Sequence, residues 1–243
     1  HERLRRDLDI LRAAVGEADP ALGPDQVFVC AVAPSGVGGH EYHPTQAEYL
    51  NAVADALHVE YTAIIDAGFT LQIDDPFLTD VFSYGTGSMQ NKLETAGRYV
   101  DAINRSLWGI PRERVRLHTC YGINEGPRVH DAPLSDLIDT VFTIEAGAFS
   151  FEAANPRHEH VYHVFESVKP PQDAVLLPGV ISHATNIVEH PDTIADRIVR
   201  GGGRAGPQPG SGDRRRDAGR YYAAAKKPVS REASSAGASS AMW

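Results

Sequence analysis

Cysteine, methionine and tryptophan are scarce in this chain, with two of each in 243 residues. No apolar run approaches the ~20 residues that a membrane-spanning helix needs, and the sequence opens without a charged-then-apolar leader. A soluble, cytoplasmic protein with no membrane partner is the resulting expectation. Cys30 and Cys120 are too few and too far apart for a disulfide framework. Basic charge is also lacking: the net charge of −9 argues against a nucleic-acid partner, which would leave a basic stripe. A Gly-rich phosphate loop directly after a strand is missing too; the glycines of Gly36-Val37-Gly38-Gly39 match no nucleotide fingerprint.

At 42% apolar, the chain is long enough for one large core. Charge and composition mark a boundary near residue 200. Residues 201–243 hold eight Lys/Arg against three Asp/Glu and no Leu, Ile or Phe, which leaves residues 1–200 with a net charge of −14. So biased a segment has little to bury and reads as a low-complexity, disordered tail, in a vocabulary resembling coding sequence read out of frame. The start at His1, already inside a helical pattern, reads as that of a fragment or a processed chain.

Between these limits apolar strands alternate with amphipathic helices. Leu4, Leu8, Leu11 and Val15 stand at helical spacing. The β-rich run 27–34 follows, in which Cys30 reads as a buried small hydrophobe. Pro44 opens a helix closed by Gly68. Strands are expected at 69–74, 115–120, 148–152 and 174–181, and helices at 88–107, 134–146, 158–167 and 191–200. Five strands, each followed by a helix, imply an α/β fold with a parallel sheet. The polar residues choose between the two closures of such a sheet. Asp74, His118, Cys120 and Glu152 all fall at carboxyl-terminal strand ends, where a (β/α)8 TIM-type barrel gathers its functional side chains. About five β/α units are present, so residues 1–200 read as part of a barrel.

His118 and Cys120 end one strand on the same side, two residues apart. Imidazole and thiolate are good zinc ligands, and Glu152, at the end of the next strand, supplies a carboxylate as a third. The alternative is a hydrogen-bonded strand-end histidine beside a passive cysteine. Asp74-Asp75 has two uses as well: holding a substrate ammonium, or forming a turn or helix cap before Pro76. Arg157 is placed to pair with a carboxylate or to hold Glu152, and His158, His160 and His163 read as a solvated helix face.

Four stretches, LQIDDP (71–76), HTCYGINEGPRVHDAPL (118–134), FSFEAANPRHEH (149–160) and LLPGVISHATNIVEHPDTIADRI (176–198), carry a resemblance over residues 1–200. As an ordered set they resemble the catalytic barrel of the cobalamin-independent methionine synthase family, and most nearly its short single-barrel relatives, which include epoxyalkane:coenzyme M transferases. The resemblance implies a Zn2+ site of His118, Cys120 and Glu152. It also implies an amino-group contact at Asp74, a mouth shaped by Gly122 and the Glu125-Gly126-Pro127 turn, and a lining from Ser182 and His183. The implied activity is methyl or alkyl transfer to a small-molecule thiol acceptor, as in methionine biosynthesis. The family draws a further cysteine ligand from its last barrel strand, and no cysteine follows Cys120 here. An inactive, truncated member with two exposed sheet edges therefore stays open as an alternative. A metal-dependent hydrolase on the same barrel would want more His and Asp ligands.

Overall fold

The computed structural model describes residues 2–39, 41–122, 126–182 and 184–204, the last five as backbone only. Five strands form one sheet: β1 (Phe28–Val32), β2 (Thr70–Asp74), β3 (Val115–Thr119), β4 (Ala148–Phe151) and β5 (Val175–Pro178). They are all parallel and stand side by side in chain order. The expected strands are all present and slightly shorter than the apolar runs that announce them. At β5 the ladder stops at Pro178, which has no N–H to give, and passes through the Gly179 N–H, which donates to the Phe151 carbonyl at 2.8 Å.

Side-chain alternation divides the sheet into two unlike faces. Leu71, Ile73, Val115, Leu117, Phe149, Phe151 and Leu176 are at most 5% exposed and form the core with the helices. The residues between them point the other way and are largely half-buried or exposed, Phe28 and Val32 by more than 40%. Cys30 belongs to this open face and is exposed. That corrects its reading as a buried hydrophobe: the strand period puts Ala31, not Cys30, against the core.

The helices follow their capping signals. Helix α1 (Glu2–Ala18) packs on α2 (Gln46–Asp66). Thr45 caps α2 by accepting from the Glu48 N–H at 3.2 Å, and Gly68, at φ +92°, turns the chain into β2. Helix α3 (Phe77–Ser83) leads to α4 (Met89–Ser106), which Ser88 and Asn91 cap reciprocally.

Two expected helices are largely replaced by tighter, shorter pieces. The 134–146 stretch gives a 3-10 turn (Leu134–Asp136) and the single turn α5 (Ile138–Val141); Thr140, Val141, Thr143 and Ile144 are all β-branched there. The 158–167 stretch is a 3-10 segment, Val161–Glu166. Asn155 pre-empts its start, because its side-chain oxygen accepts from the N–H groups of Arg157 and His158 at 2.9 and 3.0 Å. The last helix, α6 (Pro191–Arg204), runs past residue 200, where the composition shifts. Once nucleated, each further residue adds a backbone bond. Residues 205–243, the expected tail, lie outside the described residues.

Gly147 sets the entry to β4. Its N–H donates to Val115 at 3.0 Å and its carbonyl accepts from Val175 at 2.8 Å. A Cβ there would sit 2.6 Å from the Arg112 carbonyl oxygen and 2.9 Å from the Glu113 Cα, both backbone. Gly147→Ala is expected to cost about 1–3 kcal/mol through overpacking, read as a thermal midpoint lower by several degrees. An unchanged midpoint would show that the β3–β4 junction yields easily.

No helix among the described residues is long and apolar enough to cross a membrane.

Candidate functional site

The carboxyl-terminal strand ends close around a cleft of about 280 Å3. His118 and Cys120 line it from the end of β3, Ser150 and Glu152 from β4, and Gly179, Ile181 and Ser182 from the end of β5. Strand register makes this convergence. His118 lies opposite Ser150 across the β3–β4 pair and opposite Asp74 across β2–β3, and the period of two carries the same face on to Cys120 and Glu152. Of the residues expected at the site, five line this one cleft: His118, Cys120, Gly122, Glu152 and Ser182. His183 and Glu125 lie outside the described residues.

The two aspartates separate. Asp74 is half-buried beside His118 and accepts from the Gln72 side-chain amide at 2.7 Å. Asp75 is fully buried, and its Oδ1 accepts from the N–H groups of Phe77 at 2.8 Å and Leu78 at 3.1 Å. It caps α3, the second of the two uses open to this pair. Burial pushes its carboxyl up to about 6, against the opposing pull of those N–H groups. Neither aspartate is among the residues lining the cleft.

His118 Nδ1 lies 3.1 Å from Ser150 Oγ, a contact that fixes the ring within the cleft. The Cys120 thiol is half-buried and its pKa is raised, first by burial and then by the nearby Glu152 and Asp74 carboxylates. An isolated Cys120 is thus a thiol at neutral pH, and a cationic partner is needed to make it a thiolate. Gly122, at φ +74°, turns the chain away from the rim in a conformation that side chains other than glycine resist.

Glu152 has the most constrained setting. Arg128 grips it with two parallel bonds, Nη1 to Oε1 at 2.8 Å and Nη2 to Oε2 at 3.1 Å. Asn155 also donates to Oε1. The same guanidinium gives Nε to Asp131 Oδ2 at 2.8 Å, and that oxygen accepts a second bond from His158 Nε2 at 2.8 Å. Tyr121 stacks on the His158 ring at 4.1 Å and donates its hydroxyl to the Ala132 carbonyl. The Arg128, Glu152, Asp131 and His158 side chains are all under 10% exposed. Burial disfavours the Arg128 charge, but Glu152 and Asp131 outweigh it and hold the guanidinium above its ordinary range. Burial lowers the His158 pKa despite Asp131, so the imidazole is neutral at pH 7 and donates from Nε2.

This network corrects two expectations. Arg128, not Arg157, holds Glu152; Arg157 reaches the Asp131 backbone carbonyl at 3.1 Å instead. His158 is buried, not part of a solvated face, because the Asn155 turn swings it inward beneath Tyr121. The signals within the sequence are Arg128-x-x-Asp131 and Asn155-x-x-His158. Both are local spacings that acquire meaning only when the two loops meet.

Zinc fits this cleft in donor chemistry: an imidazole, a sulfur and a carboxylate share its wall. Among the described residues, though, no three His, Cys, Asp or Glu side chains are grouped to hold a metal ion as they stand, and both Glu152 oxygens are engaged by Arg128. The chain matches no protein-family model and no curated protein.

Proposed function

We propose that these five β/α units belong to a (β/α)8-type barrel and that the cleft serves zinc-dependent methyl or alkyl transfer to a small-molecule thiol, in the manner of the methionine synthase family. The barrel part rests on strand order. When parallel strands follow one another in sequence with crossovers of one hand, every helix falls on the same side. The sheet then keeps one open face, as this one does. A barrel turns that face inward and gathers function at the carboxyl-terminal rim.

The observation that carries the chemistry is the shared cleft of His118, Cys120 and Glu152. These three would hold the ion. A bound zinc ion would supply the positive charge that lets an acceptor thiol react as thiolate near neutral pH. The residues around it have separate tasks. Ser150 contacts His118 Nδ1 and fixes the ring within the cleft. Asn155 donates to the Glu152 carboxylate and orients it. Ser182, whose N–H donates to Glu189 Oε2 at 2.8 Å, is held at the lip, with Arg197 bracing Glu189. Asp74, one strand from His118, would hold an amino group on the acceptor, as the family resemblance implies.

The test is metal content together with consumption of a thiol in the presence of a methyl or alkyl donor. Wild-type protein is expected to hold near-stoichiometric zinc. Cys120→Ser is expected to lose more affinity than the ~10–100-fold that follows removal of a supporting hydrogen bond. Full metal content in Cys120→Ser would refute the site assignment.

A further inference from the structure

We infer that Arg128 is a competing cation for Glu152, so that metal enters this cleft by exchanging with a guanidinium on one carboxylate. The inference rests on the proposed zinc reading and goes beyond it by naming what sets the affinity. Glu152 lines the cleft, yet both its oxygens face Arg128 at 2.8 and 3.1 Å. A carboxylate in a bidentate grip offers a metal its weaker lone pairs at best. A full metal–carboxylate bond therefore requires the guanidinium to move or loosen.

The surroundings make that exchange possible without stranding a buried charge. Arg128 keeps a second acid, Asp131, which accepts its Nε at 2.8 Å independently of Glu152. When Glu152 turns to the metal, Arg128 still has a charged partner. Asp131 remains bonded by His158, and Asn155 donates to Glu152 independently of Arg128. The cluster holds two carboxylates against one guanidinium, an excess negative charge that a divalent cation offsets. With a single acid the guanidinium would lose its only partner, and the cost of a bare buried charge would oppose metal entry.

A residue that merely supported Glu152 would, when weakened, lower metal affinity. A competitor does the reverse. The experiment is a zinc titration of the full chain against a chromophoric chelator, comparing wild type with Arg128→Lys and Arg128→Gln. Lysine keeps the charge but cannot form the two-pronged grip. The expected result is zinc binding about tenfold tighter in Arg128→Lys, the equivalent of one lost hydrogen bond to a charged group, and tighter still in Arg128→Gln. Equal or weaker binding in both overturns the inference while leaving the zinc reading in place. If no version binds zinc, both fall together.

A second readout needs no substituted protein to fold. On wild-type protein labelled with nitrogen-15 arginine, the guanidinium Nη–H signals of Arg128 report hindered rotation while Glu152 grips it. Saturating zinc is expected to restore fast rotation and merge those signals, and unchanged signals at full occupancy count against the exchange.

Discussion

Arg128→Met is expected to lower the stability of the fold by about 3–5 kcal/mol, the cost of removing one partner from a buried ion pair. With a domain of this size, the thermal midpoint should fall by roughly 10 °C. The magnitude comes from what remains rather than from what is removed. The Glu152 and Asp131 side chains are 8% and 2% exposed. Without the guanidinium, Glu152 keeps Asn155 and Asp131 keeps His158, but neither donor carries a full charge at pH 7. Methionine fills the volume and adds no compensation.

Two further measurements separate loss of the ion pair from a simple packing defect. The double variant Arg128→Met/Glu152→Gln should recover part of the loss, because it no longer buries the second carboxylate; simple additivity would contradict the pairing. Zinc should stabilise Arg128→Met more than wild type, since a ligand that binds only the folded state adds stability in proportion to its affinity. A loss below about 1 kcal/mol, the range of exposed pairs, would mean that the network is open to water and that the grip on Glu152 is weak.

The strands are legible because they are short extended runs set between helical periods, three of them closed by Pro34, Asp74 or Pro178, and because the sequential β/α rhythm leaves few ways to arrange them. What alternation hides in such runs is which face is covered. VFVCAVAP is apolar throughout, so only the observed single-sided burial shows that Cys30 lies on the open face and Ala31 in the core. The rim residues His118, Cys120 and Glu152 can be grouped from strand-end position alone, since register converts that position into proximity. Arg128, Asp131 and His158 cannot. They come from loops whose partners are set by the closure of 126–131 onto 152–158, and neither hydrophobic period nor turn chemistry encodes that contact. Sequence distance favours Arg157 as the partner of Glu152, at five residues against twenty-four. The Asn155 turn reverses that preference by directing Arg157 to a backbone carbonyl.

Asp75→Asn is expected to stabilise the protein above pH 7, by up to about 3 kcal/mol, and to flatten its stability between pH 4 and 7. The carboxyl is fully buried, and the N–H groups of Leu78 and Phe77 and the Ser35 hydroxyl offset that burial only in part. Burial raises it from an ordinary value of 3.8 to about 6, with a further push from Asp80. The sign follows directly. A carboxyl whose folded pKa lies above its unfolded value binds its proton more tightly in the fold, so its contribution is most favourable below about 4. That contribution is lost as the pH rises through about 6. Asparagine keeps the Oδ1 that accepts from Phe77 and Leu78, and so keeps the α3 cap while removing the buried charge. Urea midpoints at pH 5 and pH 8 check it: the variant should gain fully at pH 8 and roughly half as much at pH 5, which lies between the unfolded and folded pKa values. The same protein decides between the two uses of this aspartate. As a helix cap it can be replaced with zinc content and thiol affinity unchanged, whereas a role in holding a substrate ammonium would raise the KM for an amino thiol at least about tenfold, the effect of losing one charged hydrogen bond. Destabilisation at pH 8 would show that the Asp75 carboxylate is held by a favourable partner and that burial does not dominate its energetics.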